Sequence, residues 1–289
     1  MIGESTMRHS IVSIHRSWLI LLALAVIALT TLACGFEGGA FGSTPTSSPG
    51  NRVMVPAMSN APSGATSDLT QGPVEAILIT APQPGQGARG ALRIEGLSDP
   101  VLAQQLNVVL RDAKGTVIAT ARPTAQAPAG QRSAFSAEVS VPPNVPRQTG
   151  RVQVYAVSPG NNSVTHLAAV EVALNDEGQA TTVPIDPQTP EAIAMIFPSP
   201  NAEVKGVVKV AAATMLGPKI VVEVIDANNQ TVGRVEQTVE QNTGTPTQIL
   251  AEVPIKVTAA GPGRVLVYAV NPRDGATEHL SSVEVKLSP

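Results

Sequence analysis

From residue 74 onward, apolar residues recur along this chain with a period of two. In "QLNVVLRD" Leu106, Val108 and Leu110 fall on one side, and Ile220, Val222 and Val224 repeat the phase further along. Successive side chains of an extended chain point to opposite faces, so this alternation predicts half-buried strands. Further short runs at 74–80, 88–95, 116–122, 133–141, 151–158 and 166–174 bring the count to about seven strands in roughly 100 residues. The turn that follows Leu110 is explicit. Asp112-Ala-Lys-Gly115 combines a turn-opening Asp with a Gly able to adopt positive φ, which predicts a type I turn with a bulge, and Asn229 takes the Gly position in the later copy.

The later copy is a repeat. "GRVQVYAVSPGNNSVTHLAAVEVAL" (150–174) and "GRVLVYAVNPRDGATEHLSSVEVKL" (263–287) are identical at 14 of 25 positions, including Gly150/Gly263, Arg151/Arg264, Tyr155/Tyr268, Pro159/Pro272, His166/His279 and Glu171/Glu284. Upstream, residues 76–94 lie over 192–210, matching Pro82 to Pro198, Pro84 to Pro200 and Gly90 to Gly206. Units of about 100 residues are duplicated domains, since solenoid repeats have periods of about 20–50. The expected fold is all-β, two tandem immunoglobulin-like β-sandwiches at 74–175 and 190–289. The polar, Pro-containing piece 176–189 reads as a linker, and each unit is expected to fold by itself.

Ahead of the repeats the pattern changes. Arg8, His9, His15 and Arg16 precede an apolar run from Trp18 to Ala33, the layout of a secretory signal at 1–33. Cys34, the one cysteine in the chain, follows directly. "TLAC" resembles a bacterial lipoprotein lipobox, with Ala33 in the small position and Leu32 one place closer to the cysteine than the commonest pattern. That resemblance implies lipid on Cys34, removal of the segment before it, and an extracytoplasmic protein anchored to a bacterial membrane. A free thiol in a membrane anchor, or ordinary signal cleavage nearby, are the alternatives. Residues 34–73, rich in Gly, Ser, Thr and Pro, read as a lipidated, disordered tether. As a flexible coil it would span on the order of 35 Å.

Composition narrows the function. Aromatics are 2% of the chain and formal net charge is -3, with no Lys/Arg block beyond the amino terminus, so nucleic-acid binding is excluded. No zinc spacing, Gly-x-Ser-x-Gly elbow or phosphate loop occurs, and the expectation is no enzyme, no catalytic residue, no cofactor and no metal. His166 and His279 occupy equivalent positions and read as packed, satisfied strand histidines in preference to ligands. Glu171 and Glu284 read as a solvated strand face, and Asp176 and Glu177 as solubilising linker charges. Tyr155 and Tyr268 fall out of phase with Val152 and Val154 and read as packing against a neighbouring strand or loop. The loops differ between copies, which suggests that at most one copy is specialised.

The early Pro82 and Pro84, Gly90, the Asp112/Gly115 turn, Phe135 and the closing "VYAVSP" together resemble the bacterial spore-germination immunoglobulin-like domain, and the second unit adds "NPRDG". The first copy departs from the family's Asp-Gly turn with "SPGNN"; the second lacks the turn Gly and the Phe. The resemblance implies an extracytoplasmic module of surface lipoproteins. Two functions follow as expectations: a structural or protein-interaction module meeting another cell-envelope protein, or a small-molecule or glycan binder. Glycan sites recruit exposed aromatic platforms, and the scarcity of aromatics favours the first.

Overall fold

The computed structural model describes residues 73–289 except 101, 103, 104, 126, 129 and 241–243. The expected signal segment, Cys34 and the expected tether up to residue 72 lie outside the described residues. No helix occurs among the described residues. The first repeat contributes β1 (Ile77–Ala81), β2 (Gly87–Ala88), β3 (Gly90–Ser98), β4 (Leu106–Arg111), β5 (Val117–Ala121), β6 (Thr124–Ala125), β7 (Ser133–Val141), β8 (Gln148–Val157) and β9 (Val164–Leu174). The second contributes β10 (Ile193–Phe197), β11 (Ala202–Lys205), β12 (Val207–Thr214), β13 (Lys219–Asp226), β14 (Thr231–Thr238), β15 (Thr247–Pro254), β16 (Gly261–Val270) and β17 (Thr277–Ser288).

Each repeat is a sandwich. In the first, the sheet β1-β3-β7-β6 faces β5-β4-β8-β9; in the second, β10-β12-β15 faces β14-β13-β16-β17. The two-residue alternation holds: Leu106, Val108 and Leu110, like Ile220, Val222 and Val224, are buried between the layers. Asp112 Oδ1 accepts the Lys114 and Thr116 N–H groups, and Asp226 Oδ1 accepts those of Asn228 and Gln230. Gly115 and Asn229 both have positive φ, at 79° and 61°, and the register shifts beside each turn.

The expected strand 88–95 is not continuous. At Gly90 (φ 62°) the chain leaves one sheet for the other, so β2 pairs in parallel with β9 while β3 pairs with β7. Gly206 (φ 65°) makes the same switch between β11, paired with β17, and β12, paired with β15. A left-handed backbone is the conformation a glycine adopts without steric cost.

Each sandwich has its own apolar core, the first around Phe135, Ile94, Leu110, Val152 and Leu174, the second around Ile249, Val210, Val224, Val265 and Leu287. One pair of facing positions shows how the copies keep their volume. Phe135 lies opposite Gly96, and its counterpart Ile249 lies opposite Ala212. A Cβ on Gly96 would come within 2.4 Å of the Phe135 ring, so the larger side chain goes with the smaller partner.

The cores are separate, but the sheets are not. β9 pairs antiparallel with β17, which joins the two inner sheets into a single ten-stranded sheet.

Candidate functional site

At the junction Leu167 lies opposite Leu280, Ala168 opposite His279, and His166 opposite Ser281. Because 166, 167 and 168 correspond to 279, 280 and 281 in the repeat, exchanging the copies maps this pairing onto itself. The seam therefore has the self-complementary form of a two-fold dimer interface, built within one chain. On one face of it Leu167, Ile225, Leu266 and Leu280 are buried together, with Tyr155 and Tyr268 packed against them. Both tyrosines thus pack as the sequence predicts, and the Tyr268 hydroxyl donates to Glu223 Oε2 at 2.8 Å. The match between copies is imperfect on this face: Arg111 and Gln153, bonded at 2.7 Å, stand where the second copy has Ile225 and Leu266.

The loops after β8 and β16 brace the seam from outside. Arg151, 4% exposed, donates to Asp274 at 3.0 Å and Glu171 at 3.2 Å, and Glu171 also receives Arg273. The equivalent Arg264 donates to Ser163 and Ser282, each at 3.2 Å, and lies 3.5 Å from Glu284. Across the junction Asn161 Nδ2 donates to the Ala227 carbonyl at 3.4 Å and Asn229 Nδ2 donates to the Asn161 carbonyl at 2.9 Å. The two loops meet different groups: Asn161 reaches the turn at Ala227, and Asp274 and Arg273 reach Arg151 and Glu171 on β8 and β9. Glu171, read as a solvated strand position, belongs to this brace. Asp176 and Glu177, in the linker, stand 3.9 Å from Arg147 and 4.0 Å from Arg89.

On the opposite face of the seam the chain gathers an acid–histidine cluster. The segments entering the two repeats run antiparallel, with Val74 bridged to Pro190, Glu75 N–H donating to Thr189 O (2.8 Å) and Glu191 N–H to Pro73 O (2.7 Å). Their carboxylates cross over: Ala76 N–H donates to Glu191 Oε2 at 2.7 Å and Ala192 N–H to Glu75 Oε2 at 2.8 Å. Both Oε1 atoms are left facing His279 Nε2, at 3.1 Å for Glu75 and 3.7 Å for Glu191. All three side chains are more than nine-tenths buried. Burial opposes an imidazolium here, but the carboxylates of Glu191 and Glu75 outweigh it and His279 is pushed up to about 9. His166 is different. Burial, chiefly, holds it below the ordinary histidine range, and its Nδ1 is buried with no hydrogen-bond partner.

Around the cluster, Arg132 donates to the Glu75 carbonyl. Burial raises the Asp99 carboxyl above its ordinary range; Glu191 and Glu75 add to this and Arg132 opposes it. The sequence places His166 and His279 in equivalent positions but brings neither Glu75 nor Glu191 near them. Glu75 and Glu191 are equivalent too, and extending the upstream alignment of 76–94 by one residue brings them together. The signal was present; what hid it was separation along the chain, since His279 lies far from both acids in sequence and adjacent in space.

No curated protein matches this chain. Among solved structures it is similar to a Salmonella alpha-2-macroglobulin (13% identity, TM-score 0.24), to red sea bream transglutaminase (10%, 0.26) and to the ectodomain of a teleost fish polymeric Ig receptor (11%, 0.20). These alignments cover 78%, 75% and 74% of this chain, and 16%, 32% and 98% of the others. The chain thus spans less than a third of the first two. With β1, the sheet-switching Gly90, the Asp112 turn and Phe135 all inside the matched stretch, residues 76–163 match the immunoglobulin-like domain of bacterial spore germination.

Proposed function

We propose that this protein is an extracytoplasmic lipoprotein, tethered through Cys34, whose joined sandwiches act as a non-enzymatic interaction module for another protein of the cell envelope. A domain of the immunoglobulin-like spore-germination type supports a structural or interaction role. The observation that carries the reading further is an asymmetry on the outer face of the β10-β12-β15 sheet. Phe197, Ala211 and Leu250 form one row across its three strands. Phe197 is 46% and Leu250 64% exposed, with Ile196 beside them at 61%. The first repeat has Ala81, Glu95 and Ser136 in the same row. An exposed apolar patch present in one copy and replaced by polar residues in the other supports specialisation of that copy as a contact surface.

A photo-crosslinking residue placed at Leu250 in intact membranes should yield a discrete protein adduct, and the same residue at Ser136 should not. Phe197→Glu should abolish the Leu250 adduct without lowering the melting temperature. Equal adducts at both positions, or an adduct that survives Phe197→Glu, would remove the basis for this reading.

A second reading, capture of a small molecule, is favoured by a groove of about 690 Å³ on the first repeat that includes Arg111, Arg122, Gln153 and Tyr155 in its lining. It offers one aromatic platform, and Arg111 is already engaged with Gln153 and the Gly115 carbonyl.

A further inference from the structure

We propose that the seam between the repeats is a structural site for a divalent transition-metal cation of the zinc type, held by Glu75, Glu191 and His279 with His166 as the fourth ligand.

The cluster is short of hydrogen-bond donors. Glu75 Oε1, Glu191 Oε1 and His279 Nε2 all lie within 4.8 Å of one another. A single N–H at Nε2 is the donor available to both oxygens. It serves Glu75 at 3.1 Å, while Glu191 Oε1, at 3.7 Å, is buried with no hydrogen-bond partner. Buried oxygens left unpaired carry an uncompensated desolvation cost. A cation removes the mismatch, because it accepts a lone pair from each of the three atoms at once. Formal charge gives the same answer. Two buried carboxylates carry a formal charge of −2, which neutral imidazoles leave unchanged and a divalent cation brings to zero.

The ligands are already oriented. The second oxygen of each glutamate is fixed by a backbone N–H from the other repeat, the kind of outer support that aims metal ligands. His166 follows from the pairing: it lies opposite Ser281 as Ala168 lies opposite His279, so the two histidines share one face, diagonally placed across the strands. Diagonal neighbours of this type stand about 7–8 Å apart at Cα, within reach of two imidazoles meeting at a common centre. Its Nδ1, like Glu191 Oε1, is buried without a hydrogen-bond partner. Each repeat thus supplies one Glu and one His: Glu75, Glu191 and His279 already lie within 4.8 Å of one another, and His166, outside that set on the same face, closes the fourth position by a side-chain rotation toward them. Two nitrogens and two oxygens suit tetrahedral zinc, with imidazole ligands selecting against calcium and magnesium.

The test uses the full chain carrying Cys34→Ala, which removes the one thiolate. Zn²⁺ titrated into chelator-treated protein should bind at one equivalent per chain and raise the melting temperature, and Co²⁺ in its place should give the intense visible absorption of a four-coordinate centre. Glu191→Gln, Glu75→Gln and His279→Gln should each weaken binding by at least about tenfold. His166→Ala should retain binding but shift the Co²⁺ spectrum. His9→Ala with His15→Ala should change nothing. Circular dichroism selects the variants that remain folded, and any one of the three suffices for the comparison. Absence of stoichiometric Zn²⁺ binding by the parent chain, affinity unchanged in a folded ligand variant, or a six-coordinate Co²⁺ spectrum would overturn the assignment.

Discussion

At the scale of single residues, the copies differ by substitutions that compensate one another. Gly96 exists where the Phe135 ring and the Leu78 carbonyl both press on the position a Cβ would take, at 2.4 and 2.3 Å. Gly96→Ala should therefore destabilise the protein by about 1–3 kcal/mol, the usual cost of forcing atoms into a packed core. Adding Phe135→Ile, which reproduces the second repeat's pairing, should recover part of this and not all, because the carbonyl remains. Urea denaturation of the two variants measures both values; full stability in Gly96→Ala alone would mean that the core is looser than its geometry. This pair was half legible in sequence. The missing Phe of the second copy was visible, but its opposite number depends on strand register, which a lone chain of alternating residues does not specify.

Among elements, β9 and β17 decide the organisation. Sequence predicts two units and a linker; the described residues form two separate apolar cores. It gives no hint that the last strands of both units pair, although the repeated string 150–174/263–287 is the one that builds the seam. A self-complementary junction needs the same surface on both sides, which accounts for the close similarity of these strings. Fragments 74–175 and 190–289 should each retain β-type circular dichroism, since each keeps its core. Both should melt below the joined chain, because Leu167, Leu280, Arg151 and Arg264 lose partners in the other repeat. A loss of ~2 kcal/mol would lower the midpoint of a unit this size by roughly 10 °C. Fragments melting at the temperature of the joined chain would show that the seam contributes nothing; an unfolded fragment would show that its core does not suffice alone.

For the whole molecule, the joined sheet fixes one sandwich against the other and leaves the outer face of β10-β12-β15 exposed. The proposed lipid anchor belongs to this scale, because it would set where the module works. If Cys34 is acylated, Cys34→Ala should abolish incorporation of a fatty-acid analogue and leave an unprocessed or mis-sorted precursor. Unchanged labelling in that variant would end the lipoprotein proposal.

The sequence by itself determined the strands, their buried faces, the two Asp turns and the duplication, because each follows from contacts local along the chain: side-chain alternation, a turn residue's φ, a small residue after an apolar run. It also raised the expectation of lipid on Cys34. Tertiary structure alone decided the sheet switch at Gly90, the Gly96/Phe135 fit, and above all the junction. There, Glu75, Glu191 and His279 meet because two entering segments and two closing strands cross at one axis. Hydrophobic periodicity reports which face of a strand is buried; it does not report which edge is paired, since edge pairing is made by backbone groups that every residue carries alike.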